Sequence, residues 1–351
     1  MLENSLQKIE NAFAEQARLC KIYGSEFTAF LLSNVLSVLD TSSETGRKIR
    51  SWAGDPSPSG DALALRLAGA LHSIAKRGSC PELTSVYPPE TCSDVSKLAA
   101  AVEKAVAQDD SWIAKMLNSP PQTNEVGRSA VLFTGLIEIS NRTKLPISLF
   151  EIGASAGLNL YLDRYSYQLG NLRLGCRDSR VKLSPDWTGN CPIGEPVIVE
   201  RSGCDLSPID LSNETERERL FSYVWPDQSE RYDRLKNASE IALSEGLVEI
   251  EKADAVDWVD RNIRPDRGKS HVTVLMHSLT YCYLERSSKE KITRHMEKVG
   301  DTATHDDPLA WLAYEFNAQK QIDCSLRIWP SGDRLVLAVT DAHGKNVHWL
   351  A

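Results

Sequence analysis

The chain has 351 residues, 42% of them hydrophobic and 25% charged, with a formal net charge of -8 at pH 7 and a pI near 5.5. That length and hydrophobic share suffice for two domains, or for one large α/β domain with an appendage. The acidic balance, with no Lys/Arg-rich run interleaved with aromatics, argues against a nucleic-acid partner, and no apolar run reaches the length that spans a bilayer.

The opening "MLENSLQKIENAFAEQ" is amphipathic and partly acidic, without the basic and apolar regions of a signal peptide, so the expected address is the cytoplasm. Leu6, Ile9, Phe13, Ala17 and Cys20 recur at three- and four-residue steps, which predicts one buried helical face. "DALALRLAGALHSIA" (61–75) is apolar nearly all round and reads as a buried helix, while "AGDPSPSGD" and "CPELTSVYPPETC" are breaks. Nothing in this third alternates like a strand. Residues 1–120 are therefore expected to form an all-helical N-terminal domain. The eight cysteines are scattered, with no C-x-x-C and no metal-like pairing with histidine; reduced, mostly buried thiols and no metal site are expected.

From residue 121 to 351 the pattern becomes an α/β core. Pro120 and Pro121 stop the preceding helix, Thr123 or Asn124 is placed to cap the next, and Glu125 stands in its first turn. "ISLFEIG" after Pro146 suits a strand buried on both faces. Strands are read at 147–152, 196–200, 247–251, 271–276, 309–315, 324–329 and 335–340, with helices at 214–222, 229–245, 254–263 and 287–299. Such alternation predicts a mostly parallel sheet. "CSLRIWPSGDRLVLAVTD" closes it with an antiparallel hairpin, and "YSYQLGNLRLG" is an inserted hairpin near 164–175.

"EIGASAG" (151–157) carries the chemistry and admits two readings. Gly153, Ser155 and Gly157 spell the elbow that presents a serine nucleophile in the α/β-hydrolases. That reading needs earlier strands and an oxyanion loop, which are missing upstream, and an acid and histidine downstream, where Asp306 or Asp307 with His343 fit the order. Counted from Glu151 the same stretch resembles the cofactor loop of class I methyltransferases. Glycines after the first strand let backbone approach a ligand, and the following helix start offers free N–H groups. Asp205 in "RSGCDLSP", or Glu200 before it, then suits the ribose hydroxyls, and Asp254 with Ala255 suits the adenine. The order agrees. Two features depart: Ser155 stands in a glycine position, and Asp205 lies far beyond the roughly 20 residues of a simple unit. The acids alone are equally readable as turn and helix caps.

Nearly the whole chain resembles a bacterial family catalogued as domain of unknown function 2332, through "QTNEVGRSA" (122–130), "EIGASAGLNL" (151–160), "DRYSY" (163–167) and "VWPDQSERYDRL" (224–235). The resemblance implies that these segments are family signatures and candidate walls of a binding site. It leaves the chemistry open.

The α/β core, read as a Rossmann-like methyltransferase-type sheet, is thus expected to bind S-adenosylmethionine through Glu151, Gly153, Ala154, Ser155, Gly157, Asp205, Asp254 and Ala255. A small-molecule substrate is expected beside Gln122, Asn124, Glu125 and Arg128. Methyl transfer needs two reactants held together and, for many acceptors, a proton removed. His277 at the end of the fourth core strand is the candidate base, with Tyr281 to orient it. The competing expectation is a protein of the same fold that binds an adenosine ligand, or a partner, without transferring anything.

Overall fold

The amphipathic and apolar segments of the first third fold as helices. A computed structural model describes residues 2–90, 92–265 and 270–351, and the chain divides into two units, Met1–Thr123 with Asn213–Tyr232, and Asn124–Ser212 with Asp233–Ala351. Thr91, in the second predicted break, lies outside the described residues.

The first unit carries α1 (Leu2–Ile22), α2 (Glu26–Val38), α3 (Glu44–Arg50), α4 (Leu63–Arg77), α5 (Pro81–Thr84) and α6 (Val95–Met116). Ser25, Ser43 and Asp94 cap α2, α3 and α6 with their side-chain oxygens, satisfying N–H groups that have no intrahelical partner. Ile9, Phe13, Ala17 and Cys20 of α1 are buried together with Leu31, Leu67, Leu71, Val102 and Ile113. Each large side chain so buried contributes about 1.5–3 kcal/mol.

In the second unit, a 3-10 turn at Val126–Arg128 runs into α7 (Ser129–Thr143), and β1 (Ile147–Ile152) follows. The cap differs from expectation: it is Glu125, whose carboxylate accepts from the Gly127 N–H, rather than Thr123 or Asn124. After β1 and the glycine loop comes a 3-10 segment, Leu158–Arg164, in place of the expected α-helix. Beyond it β2 (Ser166–Leu169), β3 (Leu172–Gly175) and β4 (Lys182–Leu183) make a small separate sheet that contains the expected hairpin. Then come β5 (Asp186–Thr188), β6 (Ile198–Asp205), α8 (Glu214–Ser222), α9 (Ser229–Glu245), β7 (Ile250–Lys252), α10 (Ala255–Asn262), β8 (Val272–Ser278), a 3-10 turn at Tyr281–Tyr283 and α11 (Arg286–Gly300). The chain continues as β9 (Leu309–Phe316), β10 (Ile322–Trp329), β11 (Asp333–Thr340) and β12 (Asn346–Trp349). Helix α8 belongs to the first unit, and the boundary between the units falls within α9.

The main sheet has nine strands in the order β5-β12-β11-β10-β9-β8-β1-β6-β7. Strands β7, β6, β1, β8 and β9 are mutually parallel, whereas β9 through β12 form an antiparallel meander. The expected closing hairpin is therefore extended by β12, to which β5 adds a parallel edge. Helix α7 packs against β9 and β10 on one face. On the other, Trp258 of α10 and Ile292 and Met296 of α11 bury Phe150, Ile152, Leu275 and Leu309. Strand alternation then sends Glu151 toward the α7 face, and His277, Trp311 and Glu315 toward the α10–α11 face. Among the described residues, no helix is long and apolar enough to cross a membrane.

Candidate functional site

Within the parallel part of the sheet, β6 and β7 follow β1 in the chain on one side of it, and β8 and β9 then lie on the other. The reversal lies between β1 and β8, and open α/β sheets bind their ligands in the crevice outside the carboxyl ends of such strands. Converging there are the loop Gly153–Gly157, the end of β6 at Asp205, and the segment Ser278–Tyr283 after β8.

Three of the five loop residues are left-handed. Gly153, Ser155 and Gly157 have φ of +67°, +55° and +72°. Ser155 therefore occupies a conformation that glycine adopts without cost, and Leu279, on the facing loop, has φ +50°. The two glycines also answer to packing within the chain. A Cβ on Gly153 would lie 2.2 Å from Thr280 Oγ1, and one on Gly157 would lie 2.8 Å from Ile250 Cδ1. Ala154, Ser155 and Ala156 are buried.

Asp205 is the last residue of β6 and Glu200 its third, so the strand-end acid is Asp205. Its Oδ2 accepts from Ser155 N at 2.9 Å and its Oδ1 from Ser207 N at 2.8 Å, so it fastens the glycine loop to the loop after β6. Asp254 is exposed and caps α10, accepting from Val256 N at 2.8 Å and Asp257 N at 3.4 Å; Ala255 follows it, buried, as the first helical residue.

Beneath the loop lies a buried polar chain. Ser129 Oγ donates to Asn159 Oδ1 at 2.8 Å, and Asn159 in turn hydrogen-bonds Glu151. Glu151 is 1% exposed, and burial raises its carboxyl from the ordinary 4.5 to about 8, with the Asn159 contact opposing the rise. It is a neutral acid at pH 7. Its Oε2 and the Ser155 Oγ are buried without a hydrogen-bond partner, which native structures rarely tolerate. Ser155 has no histidine at its hydroxyl, and His343 pairs with Glu125 instead, at 3.1 Å. The elbow reading thus lacks its base.

"QTNEVGRSA" works as a clamp. Asn124 Oδ1 accepts from Leu158 N at 3.0 Å, which holds the exit of the glycine loop. Arg128 donates from Nε to Ala342 O and from Nη1 to Ser278 O, both at 2.9 Å, which ties α7 to the meander and to the end of β8. Gln122 falls in the first unit, and the other three expected substrate contacts fall in the second. Two further signature segments serve packing. Asp163 of "DRYSY" pairs bidentately with Arg201, at 2.9 and 2.7 Å, while the buried Tyr165 and Tyr167 hydroxyls donate to Leu158 O and Leu162 O. Asp227 of "VWPDQSERYDRL" accepts from Ser25 Oγ and Phe27 N at the start of α2, and Trp225 packs against the helical core.

The end of β8 differs most from the sequence reading. His277 is 1% exposed and both ring nitrogens are engaged: Nε2 accepts from the Trp311 indole N–H at 2.9 Å, and Nδ1 lies 2.7 Å from Glu315 Oε1. An indole nitrogen only donates, so Nε2 carries no proton and the proton sits on Nδ1. The imidazole is neutral. Tyr281 stacks on it with ring centroids 4.7 Å apart and donates its hydroxyl to Lys289 O. Glu315 is the residue that sequence reading missed. Its Oε1 also accepts from Thr280 N at 2.8 Å and Tyr281 N at 2.9 Å, whereas Oε2 is buried without a partner. The available signal was its place, at the carboxyl end of the strand next to β8.

All eight cysteines are free: four are buried, two half-buried, and Cys176 and Cys282 exposed, fewer buried than expected. Among the described residues, no group of three His, Cys, Asp or Glu side chains is placed to hold a metal ion.

The molecule is therefore an α/β protein with N-terminal helices, whose mostly parallel sheet ends in antiparallel strands and reverses order above a glycine loop. Residues 10–349 match the family described as an uncharacterized protein conserved in bacteria, DUF2332, and the chain belongs to that family. No curated protein and no solved structure matches it.

Proposed function

We propose that the crevice above β1 and β8 binds S-adenosylmethionine or a closely related adenosine ligand, and that the protein transfers its methyl group to a small molecule. The observation that carries this reading is the pair of buried, unpartnered polar atoms on the cofactor-like loop, Glu151 Oε2 and Ser155 Oγ. A buried hydroxyl and a buried neutral carboxyl can each both donate and accept, so together they suit the amino-acid end of such a ligand. Asp205 at the end of β6 suits ribose hydroxyls, and the exposed Asp254 suits the adenine amino group. The ligand would supply the reactive sulfonium methyl, and the chain would bind and orient it. Because His277 has both nitrogens committed, proton removal falls to another group.

Calorimetry with S-adenosylmethionine and S-adenosylhomocysteine tests the reading. Submillimolar binding is expected, weakened about tenfold by Ser155→Ala, a change corresponding to about 1.4 kcal/mol. Failure to bind at millimolar ligand, or binding that Ser155→Ala and Glu151→Gln leave untouched, would defeat it.

A further inference from the structure

We propose that Glu315 anchors an ammonium group of the ligand through its free oxygen Oε2, with His277 as the positioning residue behind it. Oε1 accepts from three donors, His277 Nδ1 and the backbone N–H groups of Thr280 and Tyr281, while Oε2 accepts from none. Taken alone, burial would raise this carboxyl. Three N–H donors on Oε1, from His277, Thr280 and Tyr281, oppose that rise and favour the ionised form. The side chain is therefore an anion 13% exposed, beside an imidazole that the Trp311 indole keeps neutral. Among the described residues, no lysine or arginine pairs with it. A buried charge without a counter-charge is costly, and a cationic guest removes that cost where a neutral one does not.

The surroundings suit an ammonium as well. Tyr281 and Trp311 contact the His277 ring, Tyr283 on the same turn is 84% exposed, and aromatic faces attract cations. The turn Leu279–Tyr283 closes over the carboxylate by donating two of its own N–H groups, so admitting a guest requires this turn to shift. Leu279, at φ +50°, already holds a left-handed conformation there. Thr280 also packs on Gly153, so the turn bridges Glu315 and the glycine loop. The ammonium has two possible sources. If it belongs to S-adenosylmethionine, the inference rests on the cofactor reading; if it belongs to a second, amine-bearing substrate, it stands without that reading.

The test follows the Glu315 carboxyl by NMR in protein labelled with ¹³C at glutamate Cδ, the signal being assigned by its loss in Glu315→Gln, or in Glu315→Asp should the first variant fail to fold. At neutral pH, n-butylammonium is expected to move this signal and n-butanol to leave it in place. If the cofactor supplies the ammonium, S-adenosylmethionine moves the signal and 5′-methylthioadenosine, which lacks the amino-acid end, does not. Glu315→Gln then weakens S-adenosylmethionine at least tenfold and leaves 5′-methylthioadenosine unchanged. Movement by n-butylammonium with neither nucleoside bound sinks the cofactor reading and upholds this one. In His277→Phe the Glu315 titration should shift upward, since one donor is lost, an effect that packing alone does not predict. A Glu315 signal unmoved by every ammonium compound, or moved equally by n-butanol, means that Oε2 holds only water and overturns the proposal.

Discussion

At the scale of single residues, the carboxyl ends of β1 and β9 hold two glutamates in opposite electrostatic states. Glu151 sits on the α7 face with one amide contact, and burial keeps it protonated; Glu315 sits on the α10–α11 face with three donors on one oxygen, and they keep it ionised. Environments that push two carboxyls apart in this way are how one fold can hold an acid and a base at one pH. A stability consequence follows for Glu151. Its folded value, about 8, lies above its ordinary 4.5, so the native state binds the extra proton between these limits. Stability is then full below about pH 4.5 and falls as pH rises through about 8, by at most about 5 kcal/mol. Glu151→Gln should match the wild type in denaturant unfolding at pH 4.5 and exceed it at pH 8.5; equal curves at both pH values would contradict the assignment. Glu151, Ser155, Asp205 and Asp254 were legible as a set because the loop and the strand ends carry them in sequence order. Glu315 was not, since its three donors come from β8 and the turn after it, and nothing local in "LAYEFN" announces them.

At the scale of elements, polar residues near the crevice chiefly end and fasten secondary structure. Asp254 caps α10, Glu125 caps the turn before α7, and Asp205 holds the glycine loop. Asp254→Ala should therefore cost about 1 kcal/mol in thermal or denaturant unfolding whatever the ligand, and Asp254→Asn should restore it, because asparagine caps equally well. An undiminished stability in Asp254→Ala would show that α10 does not depend on this cap. Periodicity located several elements closely, since β1 at 147–152, α8 at 214–222 and α9 at 229–245 fall where they were read, but β6, read at 196–200, runs Ile198–Asp205. It missed β4, β5 and β12, which have two, three and four residues, too few for any alternation to register. The helix start read after the glycine loop is instead the 3-10 segment Leu158–Arg164. There the apolar spacing is helical, but Leu158 N is held by Asn124, and Tyr165 and Tyr167 donate to Leu158 O and Leu162 O, carbonyls that α-helical pairing would use.

At the scale of the whole molecule, the two units carry different pH responses. In the helical unit His72 is 2% exposed, with Nδ1 at 3.0 Å from Ser222 O, and burial lowers it from 6.5 to about 4. The unfolded chain then binds the extra proton between those values, so this unit's stability is present above about pH 6.5 and lost as pH falls toward 4, by about 3 kcal/mol. Unfolding followed between pH 7 and pH 4 should show that slope in the wild type and a flatter one in His72→Gln; parallel slopes would place the acid sensitivity elsewhere. By itself the sequence determined the helical first third, the change to alternating strands and helices, and the glycine loop that opens the core, because hydrophobic period and turn chemistry are local properties. Only the tertiary structure decided that α8 joins the helical unit, that β5 borders β12, that His277 is locked between Trp311 and Glu315, and that Glu151, Ser155 and Glu315 each keep a buried polar atom without a partner. Whether a polar group is satisfied depends on what distant segments bring to it, and that is set by strand order rather than by neighbours in the chain.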